Sequence, residues 1–390
     1  MSSTNVEIVQ ELLKGATKPN EISDTGRFGS HGTSKLLRSV LKASLALATA
    51  ILLLIPVANA QQVAVPLRPV AQGRFDTSDA ALVKRVPGFE SRFADVNGVR
   101  LHYVIGGSGA PLVLIPGHPE TWWAYRKIMP ALVGTFRVVV IDIRGMGSSE
   151  APAGGYDKKT MAEDVFQLTR QLGFQKVNMV GHDIGAMVAF SFAANHPEAT
   201  TKLALLDVPH PDESWYDFSM LPQEGQFGDK IDAEHPPYPW WFAFHQVRGL
   251  DEKLLADDGM REYIAWLFNY MLADNSKIEP IDLAVYGDAY SNPNHIRAGH
   301  AWYQAWPRDI NDQKSYSKLT MPVLGLGAEF TGYNWLQIVR KHATDFTLVK
   351  VERSGHFIVM EQPEFVTQQL VKFFSTGTDA AGRIARDHLL

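Results

Sequence analysis

Six short apolar runs recur along this chain between stretches of helical character: Leu112–Ile115, Val138–Ile141, Val177–Val180, Leu203–Leu206, Val323–Leu326 and Phe346–Val351. Runs of this length that lack alternation read as strands covered on both faces, which is the condition of a mostly parallel sheet. Helix candidates between them, Lys159–Leu172, Ile184–Asn195 and Glu364–Phe374, supply the right-handed crossovers that such a sheet needs. Ahead of the first run, Arg92–Val96 and Val99–Ile105 flank Asn97-Gly98, a two-residue hairpin signal. The alternation stops between about Pro211 and Asp309, a Trp-, Tyr- and Phe-rich stretch that reads as several helices. In α/β folds ligands sit beyond the carboxyl ends of the strands, so a helical insertion there forms a roof.

With 390 residues and 45% apolar content the chain can bury a large core. A net charge of −5 without a basic run excludes nucleic acid as an expected partner. Cysteine is absent, which removes disulfides, a thiol nucleophile and cysteine metal sites. Near the N-terminus, Lys35, Arg38 and Lys42 precede the apolar run Ala43–Val57, which ends in Ala58-Asn59-Ala60. That pattern predicts a secretory signal cleaved after Ala60, and hence a secreted or periplasmic protein. The expected organisation is an N-terminal extension and signal (1–60), an irregular arm (61–85) and a core in two parts (86–210 and 310–378). A helical lid (211–309) separates the two parts, and a tail (379–390) follows.

Gly181-His182-Asp183-Ile184-Gly185 stands where an apolar run gives way to a helix. Small residues flank the central one as they must on a strained strand-to-helix turn that exposes a nucleophile. The plainer reading is a βα turn with an Asp cap. A carboxylate nucleophile would attack an sp³ carbon and form an alkyl ester that water later hydrolyses.

Other segments make the pattern specific. Leu112–Arg126 (LVLIPGHPETWWAYR) is similar to the His-Gly-x-Pro loop of epoxide hydrolases, and Asp142–Ser148 (DIRGMGS) to their Asp-x-Arg-Gly-x-Gly-x-Ser segment. Ser354-Gly355-His356-Phe357, followed by Glu361-Gln362-Pro363, resembles their general-base loop. Over residues 89–375 the chain thus resembles the Asp-nucleophile, epoxide hydrolase-like α/β-hydrolases, a group related to haloalkane and fluoroacetate dehalogenases. The resemblance implies an α/β-hydrolase fold with a mostly parallel eight-stranded sheet and a helical lid. It also implies Asp183 as nucleophile, His356 as base, and Asp207, after the sixth strand, as the acid that orients the base, with Glu329 the fallback. The oxyanion hole would use the backbone N–H groups of Ile184 and His118. The sequence departs from the pattern at Pro116-Gly117, where the family has His-Gly.

His300-Ala301-Trp302-Tyr303-Gln304 resembles the lid segment with a ring-opening tyrosine, making Tyr303 the expected proton donor. Trp240-Trp241-Phe242-Ala243-Phe244-His245 is similar to a lid segment whose histidine touches substrate; here Trp241 takes that place, and Trp240 and His245 are further candidates. Ile184 stands where dehalogenases carry an Arg or Trp after the nucleophile. The expectation is therefore an epoxide hydrolase that converts epoxides to vicinal diols. A haloalkane or haloacid dehalogenase is the alternative, and a non-catalytic hydrolase-fold binding protein the reading from another class. No metal or organic cofactor is expected. The partners are a small apolar epoxide or organohalide and water, and a homodimer is left open.

Overall fold

The apolar runs become strands in the computed structural model, which describes residues 66–375. The predicted signal, its cleavage point and the tail 379–390 lie outside the described residues. β1 (Phe89–Val96) and β2 (Val99–Gly107) form the expected hairpin, with Asn97 and Gly98 at φ 46° and 73°, the left-handed pair a two-residue turn needs. Then follow β3 (Ala110–Ile115), β4 (Phe136–Asp142), β5 (Val177–His182), β6 (Thr200–Leu206), β7 (Val323–Ala328) and β8 (Phe346–Val351). All eight join one sheet in the order β1-β2-β4-β3-β5-β6-β7-β8, antiparallel through β1, β2 and β4 and parallel thereafter. The α/β-hydrolase fold expected from the sequence is the fold observed.

The central strands lack alternation because neither face meets water. Leu112–Ile115 and Val138–Ile141 are completely buried. Helix Ile184–Asn195 is likewise buried through its first ten residues, packed between the sheet and helix Lys158–Gln171. β8, an edge strand, keeps the polar Thr347 and Lys350 that interrupt its apolar run.

Between β6 and β7 the chain forms no strand and builds a helical layer: Trp240–Phe244, Asp251–Leu254, Gly259–Met271, Pro280–Tyr290, Pro293–Gln304 and Trp306–Ser315. Two expected boundaries shift. The break after Asp309 falls inside helix Trp306–Ser315, because Trp306, Asp309, Ile310 and Gln313 keep one buried face running through it. The arm is not wholly irregular either. Ser78 caps a short helix, Asp79–Leu82, which continues into a 3₁₀ turn and buries Leu82.

Gly185 lets the helix after β5 pack closely on the end of β3. A Cβ there would sit 2.2 Å from the carbonyl oxygen of Ile115 and 2.5 Å from that of Pro116, both backbone atoms that cannot swing aside. Gly185→Ala should therefore cost about 1–3 kcal/mol, read as a lower midpoint in urea unfolding. An unchanged midpoint would mean that the β3 loop yields freely.

Candidate active site

β5 ends at His182, and the chain turns into its following helix through Asp183, whose backbone lies at φ 51°, ψ −122°. A non-glycine residue held there costs about 1–3 kcal/mol and persists only where the surroundings fix it. The fixing is visible. A Cβ on Gly181 would strike the Gly185 carbonyl at 2.2 Å, and one on Gly117 would meet the Asp183 Cβ at 2.3 Å. The glycines therefore let the β3 loop, the turn and the helix close around the Asp183 side chain.

The loop after β3 brings its backbone to that carboxylate: the His118 N–H donates to Asp183 Oδ1 at 2.8 Å. Pro116 thus leaves the loop's approach intact. Ile184 opens the helix, where the first N–H groups have no intrahelical acceptor. On the other side of Asp183, His356 Nε2 lies 3.7 Å from Oδ2. His356 Nδ1 is 2.7 Å from Asp207 Oδ2.

Asp207 follows β6, is almost wholly buried, and also has a left-handed backbone, at φ 65°. Its carboxylate accepts from Ala328 N (2.8 Å), Gly332 N (2.9 Å) and Thr331 Oγ1 (2.7 Å), which leaves one oxygen turned to the imidazole. Glu329 is placed elsewhere: it accepts the Arg353 N–H at 2.8 Å and reaches toward Lys350. Asp207, and not Glu329, contacts the histidine.

The carboxylate and the imidazole open onto a cavity of about 530 Å³ under the lid. Tyr303 and Trp241 line it, together with Met187, Phe218, Phe242, Leu267, Trp306, Phe330 and Trp335, so its wall is largely apolar. Tyr303 Oη is 3.3 Å from His118 Nδ1. Burial raises the Tyr303 phenol well above its usual value, and the Asp183 charge adds to the effect, so the hydroxyl keeps its proton. Burial drives His118 down to about 3, which leaves its ring neutral.

Two sequence candidates do not reach the cavity wall. Trp240 packs on Trp266, Phe244 and Tyr263, because adjacent helical residues diverge by about 100° and the helix turns Trp241 and Phe242 toward the cavity instead. His245 is fully buried behind the wall, 3.0 Å from Tyr263 Oη and 4.3 Å from the Tyr303 ring, measured centre to centre. The lining residues Phe218, Trp306 and Trp335 escaped sequence reasoning, since aromatic richness was the only signal and it does not say which rings face inward.

A second buried pair supports His356. His182 Nδ1 lies 2.8 Å from Glu120 Oε2, and its Nε2 is 2.9 Å from the His356 carbonyl oxygen. Burial opposes a charge on His182, but the Glu120 carboxylate outweighs it and lifts the imidazole to about 9. Glu361 plays a comparable part. It accepts from Gly355 N, Ala273 N and Asp274 N, which ties the His356 loop to the end of lid helix Gly259–Met271, and burial raises its carboxyl to about 7.

Comparison with known proteins adds independent findings. Residues 110–363 match the family model for the alpha/beta hydrolase fold. A soluble epoxide hydrolase from a Corynebacterium species is 35% identical over 298 residues, spanning 72% of this chain and 96% of that protein. A fluoroacetate dehalogenase from a Burkholderia species is 30% identical over 223 residues, 56% of this chain and 69% of that protein. Among solved structures, the ligand-free epoxide hydrolase CorEH superposes with a TM-score of 0.62 at 32% identity, covering 74% of this chain and 99% of that one.

The raised His182 value fixes the sign of a pH effect. Between the unfolded value of about 6.5 and the folded value of about 9 the native state holds the extra proton. This contribution to stability is complete below about 6.5 and is lost as pH rises through about 9. Glu120→Gln should destabilise the protein near neutrality and remove that decline. Parallel pH series of urea midpoints for the parent and variant would exclude the pairing if their slopes coincided from pH 6.5 to 9.

Proposed function

This chain belongs to the α/β-hydrolase fold family, in its epoxide hydrolase-like group, and on that premise we propose that it opens epoxides to vicinal diols through an ester on Asp183. The carrying observation is the carboxylate at the strained turn, with the His118 N–H on one oxygen and the His356 imidazole beside the other. Water and a small organic compound are the reactants of a hydrolase of this kind.

In the first step Asp183 Oδ2, the oxygen not held by His118, attacks an epoxide carbon. The carbon–oxygen bond breaks, and the departing oxygen takes the Tyr303 proton. A phenol kept protonated by burial suits this task, since the acceptor is a far stronger base. In the second step His356 Nε2 removes a proton from water, which attacks the ester carbonyl carbon. Charge then develops on Oδ1, where the His118 and Ile184 N–H groups form the oxyanion hole. Collapse expels the diol oxygen, which takes the proton from His356. The remaining acid proton, returned in net to Tyr303, restores Asp183 as carboxylate. Asp207 holds the imidazole by Nδ1 and stabilises its charged form. The apolar, aromatic wall favours a compound with a hydrocarbon body. The basic-flanked run before Ala60 supports export to the periplasm or beyond as the setting for this activity.

A dehalogenase is the second reading, favoured by Trp241, whose indole N–H is a donor suited to a leaving halide and whose ring lines the cavity. One experiment separates the two. His356→Gln should permit attack and stall hydrolysis, so intact mass is recorded after exposure to an epoxide panel and to a haloalkane and haloacid panel. A gain equal to the whole epoxide, mapped to Asp183, is expected. A gain equal to the organic group without its halogen would transfer the assignment to dehalogenation. No adduct from either panel, with parent enzyme equally inert, would favour a hydrolase fold used for binding.

A further inference from the structure

Among the described residues, two clusters of three His and Asp side chains lie outside the catalytic set, and they differ in how they are satisfied. In the first, His102 Nδ1 faces Asp142 Oδ2 at 2.7 Å and its Nε2 faces Ser91 Oγ at 2.9 Å. Asp142 Oδ1 accepts from Trp122 N, and Asp79 accepts from Trp122 Nε1 and Ser148 Oγ. Ordinary hydrogen bonds account for that group, and nothing further is needed there.

The second group lies in the lid and is not satisfied in this way. It joins His245, at the end of helix Trp240–Phe244, to Asp251, at the start of helix Asp251–Leu254, and to His300, within helix Pro293–Gln304. All three are fully buried. His245 Nδ1 is 2.5 Å from His300 Nδ1, and that same nitrogen is 3.0 Å from Asp251 Oδ2. One donor atom from each residue lies within 4.8 Å of the other two. A single proton on His300 Nδ1 can serve only one of its two neighbours. Asp251 Oδ2 and His300 Nε2 have no hydrogen-bond partner, and neither does Glu252 Oε2, a buried oxygen on the next residue in the chain. Among the described residues no Lys or Arg forms an ion pair with Asp251 or Glu252.

We infer that this group is a metal site for a divalent cation of the zinc class, held by His245 Nδ1, His300 Nδ1 and Asp251 Oδ2. A cation accepts all three lone pairs at once, whereas one proton held between the two imidazoles leaves the Asp251 oxygen to be satisfied separately. Imidazole nitrogen with carboxylate oxygen is a donor set that suits zinc. Bonds of about 2.0–2.1 Å in a tetrahedral site place donor atoms roughly 3.3 Å apart. The 3.0 Å separation nearly meets that spacing, and the two imidazoles would part by less than about 1 Å. Metal-binding histidines usually engage their second nitrogen, as His245 does with Tyr263 Oη at 3.0 Å. The ion would tie Asp251 to two lid segments that already share hydrogen bonds, from Gln304 Nε2 to the His245 carbonyl oxygen (3.0 Å) and from Gln246 Nε2 to the Tyr303 carbonyl oxygen (2.8 Å). Since the His245 ring lies against Tyr303, it also stiffens the wall behind that residue. The site is a structural clamp, and its existence does not depend on which bond the enzyme breaks.

The test uses the full-length chain, stripped with a chelator and then titrated with zinc chloride. About one zinc per chain by elemental analysis is expected, with a melting midpoint raised by about 4 °C or more. In His300→Phe and in the near-isosteric Asp251→Asn, retained zinc should fall at least tenfold and the melting shift should disappear. Cobalt in place of zinc should give tetrahedral visible absorption in the parent and none in either variant. Equal zinc retention and equal shifts in parent and variants would place the ion elsewhere and overturn the proposal. So would a parent chain that binds no zinc and shows no shift, which would reduce the group to a hydrogen-bonded cluster.

Discussion

The turn at Asp183 is the constraint from which the rest of the site follows. Its backbone is held at φ 51° between a buried strand and a helix buried on every side, and neither can relax without opening the core. Gly117, Gly181 and Gly185 are the positions where a Cβ would collide with this turn or its neighbours. The same closeness that forbids side chains there brings the His118 N–H within 2.8 Å of Asp183 Oδ1. Strain, packing and electrostatic preorganisation are thus one feature seen at three scales.

A second layer of buried side chains positions His356. Asp207 spends one oxygen on two backbone N–H groups, which turns the other toward His356. His182 holds the His356 carbonyl oxygen and is itself held by Glu120, while Glu361 fixes the preceding N–H of Gly355. The His356 loop is therefore anchored on both sides by buried ionisable groups. Such anchors lose their value when either partner is removed, because the survivor is left charged and unpaired in the core.

The sheet was legible because burial on both faces leaves a periodicity mark: Leu112–Ile115 and Val138–Ile141 carry no polar residue. Asn97-Gly98 and the Gly-x-Asp-x-Gly turn were legible for a different reason, since their backbone angles admit few residue types. The resemblance then supplied Asp207 and His356, whose meeting at 2.7 Å joins residues 149 positions apart and has no local signature. The lid was the hard part. Trp240 and Trp241 are chemically identical neighbours, and only the helix's rotation decides that one lines the cavity while the other packs outside. His245 and His300 gave no sign of their convergence, because 55 residues separate them and each reads alone as an ordinary buried histidine.

The proposed hydrolysis requires a covalent ester at Asp183, and isotope transfer in a single turnover addresses that bond directly. If Asp183 is the nucleophile, enzyme in excess over an epoxide substrate, in water enriched in ¹⁸O, should release unlabelled diol, because the new hydroxyl oxygen would come from the Asp183 carboxylate. The label should appear in the peptide containing Asp183 as a gain of about 2 Da, since water attacks the ester carbonyl carbon and its oxygen stays with the enzyme. Diol labelled in that first turnover, with no label in the peptide, would mean that water attacks the substrate directly and would contradict the mechanism.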